Sequence, residues 1–528
     1  MTERFDAVVV GAGFAGLYML YRLRELGLAV KVFEAGGGVG GTWYWNRYPG
    51  ARCDVESIEY SYGFSEELQQ EWEWTERYAS QPEILRYLEH VADRFDLRRD
   101  IALNTRVASA TFDEEENRWD VRTEHGDEVS ARFLIMATGC LSSANMPPFD
   151  GIDDYTGRIL HTGQWPHEEV DFSDLSVGVI GTGSSAVQSI PIIAKQAEQV
   201  VVFQRTPTYS VPAHNRPLQQ DELADVKRDY ASLRRANRQT MVGFGSRIPP
   251  AEQSALAVDP ETREKIFEER WERGGLSFLG GYTDLLLLPD ANATAAGFVR
   301  DKIKSIVRDP KVAELLSPTQ TIGCKRLCVD TGYYEAFNRD NVRLVNINAD
   351  PIVELTASGI RTESESFDFD VIVFATGFDA MTGALLRVDI RGVGDVSLRD
   401  AWAEGPKTYL GLAVPRFPNM FTITGPGSPS VLTNMVTSIE QHVEWISDCI
   451  TYVGNLGRIE ATPEATEEWV NHVNMIADFT LFPSCNSWYL GSNIPGKKRV
   501  FMPLLGFQPY EQRCNDVAAA GYEGFAIR

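Results

Sequence analysis

Twice in this chain a short apolar strand runs straight into a glycine turn that opens a helix. Phe5 to Val10 is followed by Gly11-Ala12-Gly13-Phe14-Ala15-Gly16, and Val177 to Ile180 by Gly181-Thr182-Gly183-Ser184-Ser185. A strand feeding such a turn offers free backbone N–H groups and the positive end of a helix dipole to a pyrophosphate. After the first turn, Leu17, Leu20, Leu23 and Leu26 recur at helical spacing, Gly27 ends the helix, and a strand from Ala29 to Phe33 finishes at Glu34. That is a βαβ opening, with an acidic residue about 20 positions past the glycines, where a ribose hydroxyl needs an acceptor. Strand before, helix after and Glu34 in place give the motif a specificity that the glycines alone lack.

A second echo ties the two units together. Phe133 to Ala137 is an apolar strand ending in Thr138-Gly139, and Val371 to Phe374 runs into Ala375-Thr376-Gly377. Glycine permits the sharp turn that a crossing between domains needs. The expected fold is α/β: two Rossmann-like dinucleotide-binding domains, the second inserted in the first and carrying a helical subdomain. The outer domain takes 1–140 and 379–528, the inner one 141–212 and 319–378. The helical insertion spans 213–318, where Asp259-Pro260 and Asp309-Pro310 read as N-cap plus first-turn proline.

Bulk properties narrow the function classes. A chain of 528 residues is too long for one core. Its net charge of −24 argues against nucleic acid or an anionic membrane as partner, and no obligate protein partner is evident. The seven cysteines are scattered and odd in number, without a C-x-x-C pair or a zinc-like cluster, the pattern of a reducing cytosol. The N-terminus enters a strand with no signal-like segment, and no apolar run is long enough to span a bilayer. A soluble, cytoplasmic protein is expected.

Just ahead of the second glycine turn lies Y-T-G-R-I-L-H-T-G-Q-W-P, Tyr155 to Pro166. It resembles the F-x-G-x-x-x-H-x-x-x-W-P fingerprint of the type I flavin-dependent Baeyer-Villiger monooxygenases, with Tyr155 in place of Phe. R-Y-P-G-A-R-C-D-V-E-S, C-K-R-L, G-P-G-S-P-S, S-I-E-Q-H-V-E-W and N-I-P-G-K carry the resemblance along nearly the whole chain. Within the family it lies nearer to the phenylacetone monooxygenases than to the cyclohexanone monooxygenases.

The resemblance implies conversion of hydrophobic ketones to esters or lactones with FAD, NADPH and O₂ through a C4a-peroxyflavin, with sulfoxidation as a side activity. It gives the outer domain to FAD, with Gly11, Gly13, Gly16, Glu34, Gly41, Thr42, Trp43, Trp45, Asp54, Tyr60, Val107 and Met435 as contacts. NADPH goes to Gly181, Thr182, Gly183, Ser184 and Ser185, with Trp488 over the nicotinamide nucleotide. The strand after the second turn ends in Gln204-Arg205-Thr206 rather than an acid, which suits a 2′-phosphate. Lys325 is implied as a further phosphate contact. Arg326 matches the family's catalytic arginine, stabilising peroxide and tetrahedral oxyanion, and Asp54 the carboxylate that orients it. Gly157, His161 and Trp165 belong to the linker between domains, with His161 supporting domain movement rather than taking a proton. Ser430, Val431, Leu432 and Met435 shape a small apolar substrate pocket.

Three other readings remain open at the level of sequence. An N- or S-hydroxylating flavin monooxygenase shares both glycine motifs but lacks the Trp-Pro ending. A pyridine nucleotide-disulfide reductase needs an early cysteine pair, and Cys53 stands alone. A non-enzymatic redox sensor has no use for Asp54 and Arg326.

Overall fold

A computed structural model describes residues 2–454, 457–497, 502 and 506–528. Its architecture follows from two sheets, one mixed and one all parallel, each built around one of the glycine-turn strands. In the first, Glu3–Val10 lies between Val30–Phe33 and Glu128–Met136, parallel to both, with Val10 opposite Phe33 and Met136. The strands Val107–Asp113, Arg118–Thr123 and Glu128–Met136 form an antiparallel meander that widens this sheet. Two later strands join it from the far end of the chain: Asp389–Arg391 beside the meander and Met420–Thr422 beside Glu128–Met136. The chain therefore leaves this sheet and returns to complete it, as expected of an outer domain holding an inner one.

The second sheet is all parallel, in the order Val342–Asn346, Gln199–Gln204, Ser176–Ile180, Val371–Phe374, Arg158–His161. Its strands are near-continuous apolar runs because helices and loops cover both faces. The two sheets share one local design at their glycine turns. Gly11 N–H donates to Phe33 O and Ala137 N–H to Val10 O; Gly181 N–H donates to Phe203 O and Ala375 N–H to Ile180 O. The two A-T-G segments thus lie directly against the two glycine turns.

Each A-T-G end leads into a crossing between the sheets, and the two crossings pair with one another. Asn145 N–H donates to Gly377 O, Asp379 N–H to Ser143 O and Met381 N–H to Cys140 O. His161 is locked against this ribbon: Nδ1 accepts from Gly163 N–H at 2.9 Å, while Nε2 lies 3.3 Å from both Asn145 O and Thr376 Oγ1. A ring that accepts at Nδ1 carries its proton on Nε2 and is neutral, and burial lowers its pKa in the same sense. Tyr155, the departure from the fingerprint, donates its buried hydroxyl to Phe369 O at 2.9 Å. The extra oxygen is satisfied where Phe would have needed none.

The insertion is helical, and Asp259 and Asp309 cap Pro260–Arg273 and Pro310–Leu316 through Thr262 N–H and Lys311 N–H. Its helices divide between two cores. Leu223, Val226, Tyr230 and Leu233 join the first sheet's core, while Phe267, Trp271, Val299 and Ile303 join that of the second. One finding departs from the cysteine pattern: Cys324 and Cys485, 161 positions apart, are joined in a disulfide. The other five cysteines are free and buried. Scattered spacing hid the pair because only the fold brings its halves together.

The long helix Met435–Val453 is pinned to the first domain by a buried carboxylate. Glu440 accepts from Gly63 N–H at 2.6 Å and Phe64 N–H at 3.1 Å. Burial raises its pKa to about 7, with Arg234 pulling the other way. The folded state therefore holds this proton more tightly than the unfolded one. The stability so gained is complete at acid pH and is lost as pH rises through about 7. Glu440→Gln keeps a carbonyl acceptor without the charge. Its Tm should rise relative to wild type between about pH 5 and 8; parallel pH curves for the two proteins would contradict this.

Candidate active site

Asp54 and Arg326 come from different domains and meet face to face. Asp54 sits on a segment bridged to 77–80, where Cys53 N–H donates to Ala79 O and Ser57 N–H to Arg77 O. Its neighbours Cys53 and Val55 are buried in the first core. Arg326 sits on a loop held from below by Asn292, a buried side chain that accepts from Ile322 N–H and donates to Ile322 O and Leu285 O. The following residues, Leu327 and Cys328, are buried in the second core.

The contact is bidentate: Arg326 Nε to Asp54 Oδ2 at 2.7 Å and Nη2 to Oδ1 at 2.8 Å. Nη1 donates to Val431 O at 2.7 Å. Burial alone would lower the guanidinium's pKa, but the charge and hydrogen bonds of Asp54 outweigh it and hold it well above the ordinary value. A guanidinium has five N–H donors, so these three bonds leave two for other acceptors. Burial pushes the pKa of the Tyr489 phenol up to about 12, while the nearby Arg326 pulls it down. Tyr489 is buried, and its ring lies 4.3 Å from that of Trp488. Reading the sequence missed Tyr489, since only the adjacent Trp488 matched a family position.

The Ser430–Leu432 turn is the element that Arg326 reaches. Ser430 and Val431 are buried, Ser430 at φ 46°, and Met435 follows at the first position of its helix. A small cavity of about 20 Å³ opens beside Asp54, lined also by Glu59, Arg77, Phe244 and Arg247. None of Ser430, Val431, Leu432 or Met435 lines it, so it lies apart from the loop expected to shape the substrate pocket.

The glycine turns fit two dinucleotides. A Cβ on Gly11 would stand 2.5 Å from Ala137 O, and one on Gly181 2.4 Å from Ala375 O. Each helix start, Gly13 and Gly183, has no side-chain cap and no acid in its first turn, leaving the N–H groups and dipole to an anion. Gly13 abuts Gly41, where an added Cβ would lie 2.9 Å from Gly13 Cα. Glu34 is fixed at its strand end, accepting from Ala12 and Gly36 N–H at 2.7 Å each. Trp43 is buried and its indole N–H donates to Tyr60 O–H at 3.3 Å; Trp45 O accepts from Trp165 N–H. Thr42 is exposed, and Val107 is buried at the start of its strand.

At the second turn, Thr182 Oγ1 donates to Thr206 O, Ser184 contacts Cys328 Sγ and Ser185 contacts Thr162 Oγ1. Arg205 is exposed and Lys325 half-buried. Burial lowers the Lys325 pKa, and the neighbouring Arg205 lowers it further. Among the described residues neither cation takes part in an ion pair. Two adjacent, unpaired cations near a phosphate-binding helix fit a 2′-phosphate.

A family model described as pyridine nucleotide-disulphide oxidoreductase matches residues 8–242. A Baeyer-Villiger monooxygenase of Pseudooceanicola batsensis is 46% identical over 525 residues, 98% of this chain and 95% of that protein. A phenazine N-monooxygenase of Lysobacter antibioticus is 42% identical over 530 residues, 99% of this chain and 97% of that one. The solved structure of an oxidised steroid monooxygenase bound to NADP matches with a TM-score of 0.95 and 55% identity, over 99% of both chains.

Arg205→Ala should raise the KM for NADPH and leave that for NADH little changed. A charge-assisted hydrogen bond contributes about 1.5–3 kcal/mol, roughly tenfold to more than a hundredfold. Steady-state kinetics with both coenzymes checks this. Equal loss with each would make Arg205 a support of the domain instead.

Proposed function

The chain belongs to the flavin-dependent Baeyer-Villiger monooxygenases, and from that premise we propose that Arg326, aimed by Asp54, drives oxygen insertion beside the carbonyl of a hydrophobic ketone. The enzyme is an FAD-containing, NADPH-dependent monooxygenase that converts ketones to esters or lactones. When bound, FAD supplies the two-electron chemistry that activates O₂.

The observation carrying the proposal is the two-point hold of Asp54 on Arg326. Attack on a carbonyl turns its oxygen into an oxyanion, and a fixed cation with free N–H groups stabilises that charge without reorganising. Asp54 keeps the guanidinium planar to its own carboxylate, and the Val431 carbonyl fixes the roll of the head group. The Tyr489 phenol, whose pKa burial pushes up to about 12, stays neutral beside this cation. Ser430, Val431, Leu432 and Met435 shape the pocket for the apolar body of the ketone. Arg205, Thr206 and Lys325 take the 2′-phosphate, and Trp488 covers the nucleotide. His161, neutral and locked to both crossings, transmits movement between domains.

The same reading sets the domain limits at 1–140 with 379–528 for FAD and 141–212 with 319–378 for NADPH, with 213–318 inserted between. Among the described residues no helix is long and apolar enough to cross a membrane. The charge of −24 supports a cytoplasmic enzyme whose partners are a small ketone and O₂.

A second reading, oxygen transfer to nitrogen, is favoured by the name of the Lysobacter relative. Transfer to a nitrogen or sulfur lone pair develops no alkoxide on the substrate and gives Arg326 no oxyanion to stabilise. The held cation therefore favours the ketone. Wild-type enzyme with NADPH, O₂ and a panel of linear, cyclic and aryl ketones should give products one oxygen heavier. Arg326→Ala should still reduce its flavin in stopped flow, yet lose ester formation by more than the ~10²–10³-fold typical of one oxyanion donor. Ester at a near wild-type rate would overturn the role, and oxidation of amines alone would install the second reading.

A further inference from the structure

The disulfide joins the two loops that carry the proposed chemistry. Cys324 lies two positions before Arg326, and Cys485 three before Trp488 and four before Tyr489. The segment 481–497 arches between two sets of anchors. At its far end, Asn493 donates to Phe378 O at 2.7 Å, and Lys497 pairs with Asp379 and donates to Ala380 O. At its near end, Leu481 N–H donates to Leu286 O and the exposed Ser484 hydroxyl to Thr321 Oγ1 at 2.9 Å. The Cys324–Cys485 bond is the covalent tie there, placed between those contacts and the turn Trp488–Leu490. Ser487 caps that turn through Tyr489 N–H.

Accessibility differs across the pair. Cys324 is buried, whereas Cys485 is partly open and lies between the exposed Ser484 and Asn486. Cys485 is therefore the more accessible half of the pair, while the five free cysteines are all buried.

We propose that Cys324–Cys485 is a redox-controlled clasp that positions the Trp488–Tyr489 turn against Arg326. Joined, it holds Tyr489 on the guanidinium. Opened, it leaves that end of the segment on two hydrogen bonds and the packing of Phe482, and the turn withdraws from the site. Opening transfers two electrons and two protons: a dithiol becomes a disulfide, the Cys324–Cys485 bond breaks, and two thiols form. Closing by hydrogen peroxide converts the two thiols to the disulfide and releases two waters. The cell's thiol poise would then govern how tightly NADPH oxidation is coupled to oxygen insertion. The proposal rests on the assignment of Arg326 made above.

The test compares holoenzyme in oxidised form with holoenzyme reduced by dithiothreitol and freed of it under anaerobic conditions. Denatured samples titrated with a thiol reagent should show five thiols when oxidised and seven when reduced. Reduction should raise the NADPH consumed per ester several-fold, and reoxidation should reverse the change. Cys485→Ser should sit at the higher ratio and ignore dithiothreitol. Flavin reduction by NADPH, read on the same samples, should also slow on opening. That readout needs no ketone chemistry, so the clasp remains testable where no ketone reacts. Seven thiols in both preparations would overturn the clasp, as would equal coupling and equal flavin reduction in both.

Discussion

The two-point contact between the Asp54 carboxylate and the Arg326 guanidinium is where the two domains become one site. Each partner is rooted in a different core, Asp54 through Cys53 and Val55 and Arg326 through Leu327 and Cys328. Taking either charge out of water alone is costly, and the cost is offset only when the other is present with good geometry. The pair is therefore a poor stabiliser in isolation and a strong constraint on position. It is satisfied in one relative placement of the loops that bear it, and in that placement Arg326 also reaches Val431 O on the Ser430–Leu432 turn.

Much else in the fold serves to bring those loops together. The two glycine turns sit at the ends of a strand in each of the two sheets, one sheet mixed and one all parallel. The A-T-G ends beside them lead into crossings that pair as a short ribbon. His161 and Thr376 fasten the ribbon to the second sheet through Asn145 O. The neutral state of His161 fits this task, because a charged ring could not accept from Gly163 N–H.

The parts legible in the sequence were those with local signatures. Strand–glycine–helix units announce themselves because the turn must follow the strand at once, and both glycine-turn strands were found within a residue or two at most positions. Asp259 and Asp309 were legible as caps because the aspartate-proline order is itself the cap geometry. Glu34 was placed at its strand end, but its grip on Ala12 and Gly36 N–H could be seen only in three dimensions. What stayed hidden were partners distant in the chain. Tyr489 lies within electrostatic reach of Arg326, Cys485 joins Cys324, and Val431 turns its carbonyl toward the guanidinium, yet no period or spacing links any of these pairs. The insertion's helices were legible as helices, whereas their division between two cores was not, since each amphipathic face is silent about what it packs on.

The central claim is that Asp54 acts through Arg326 and has no separate part in the chemistry. A double-mutant cycle on the rate of ester formation, with Asp54→Asn, Arg326→Lys and the double variant, measures this directly. Lysine cannot take the bidentate hold, so removing the carboxylate from the Arg326→Lys enzyme should cost little more. The account predicts a double variant close to Arg326→Lys alone. Losses that simply multiply would contradict it and give Asp54 a role of its own.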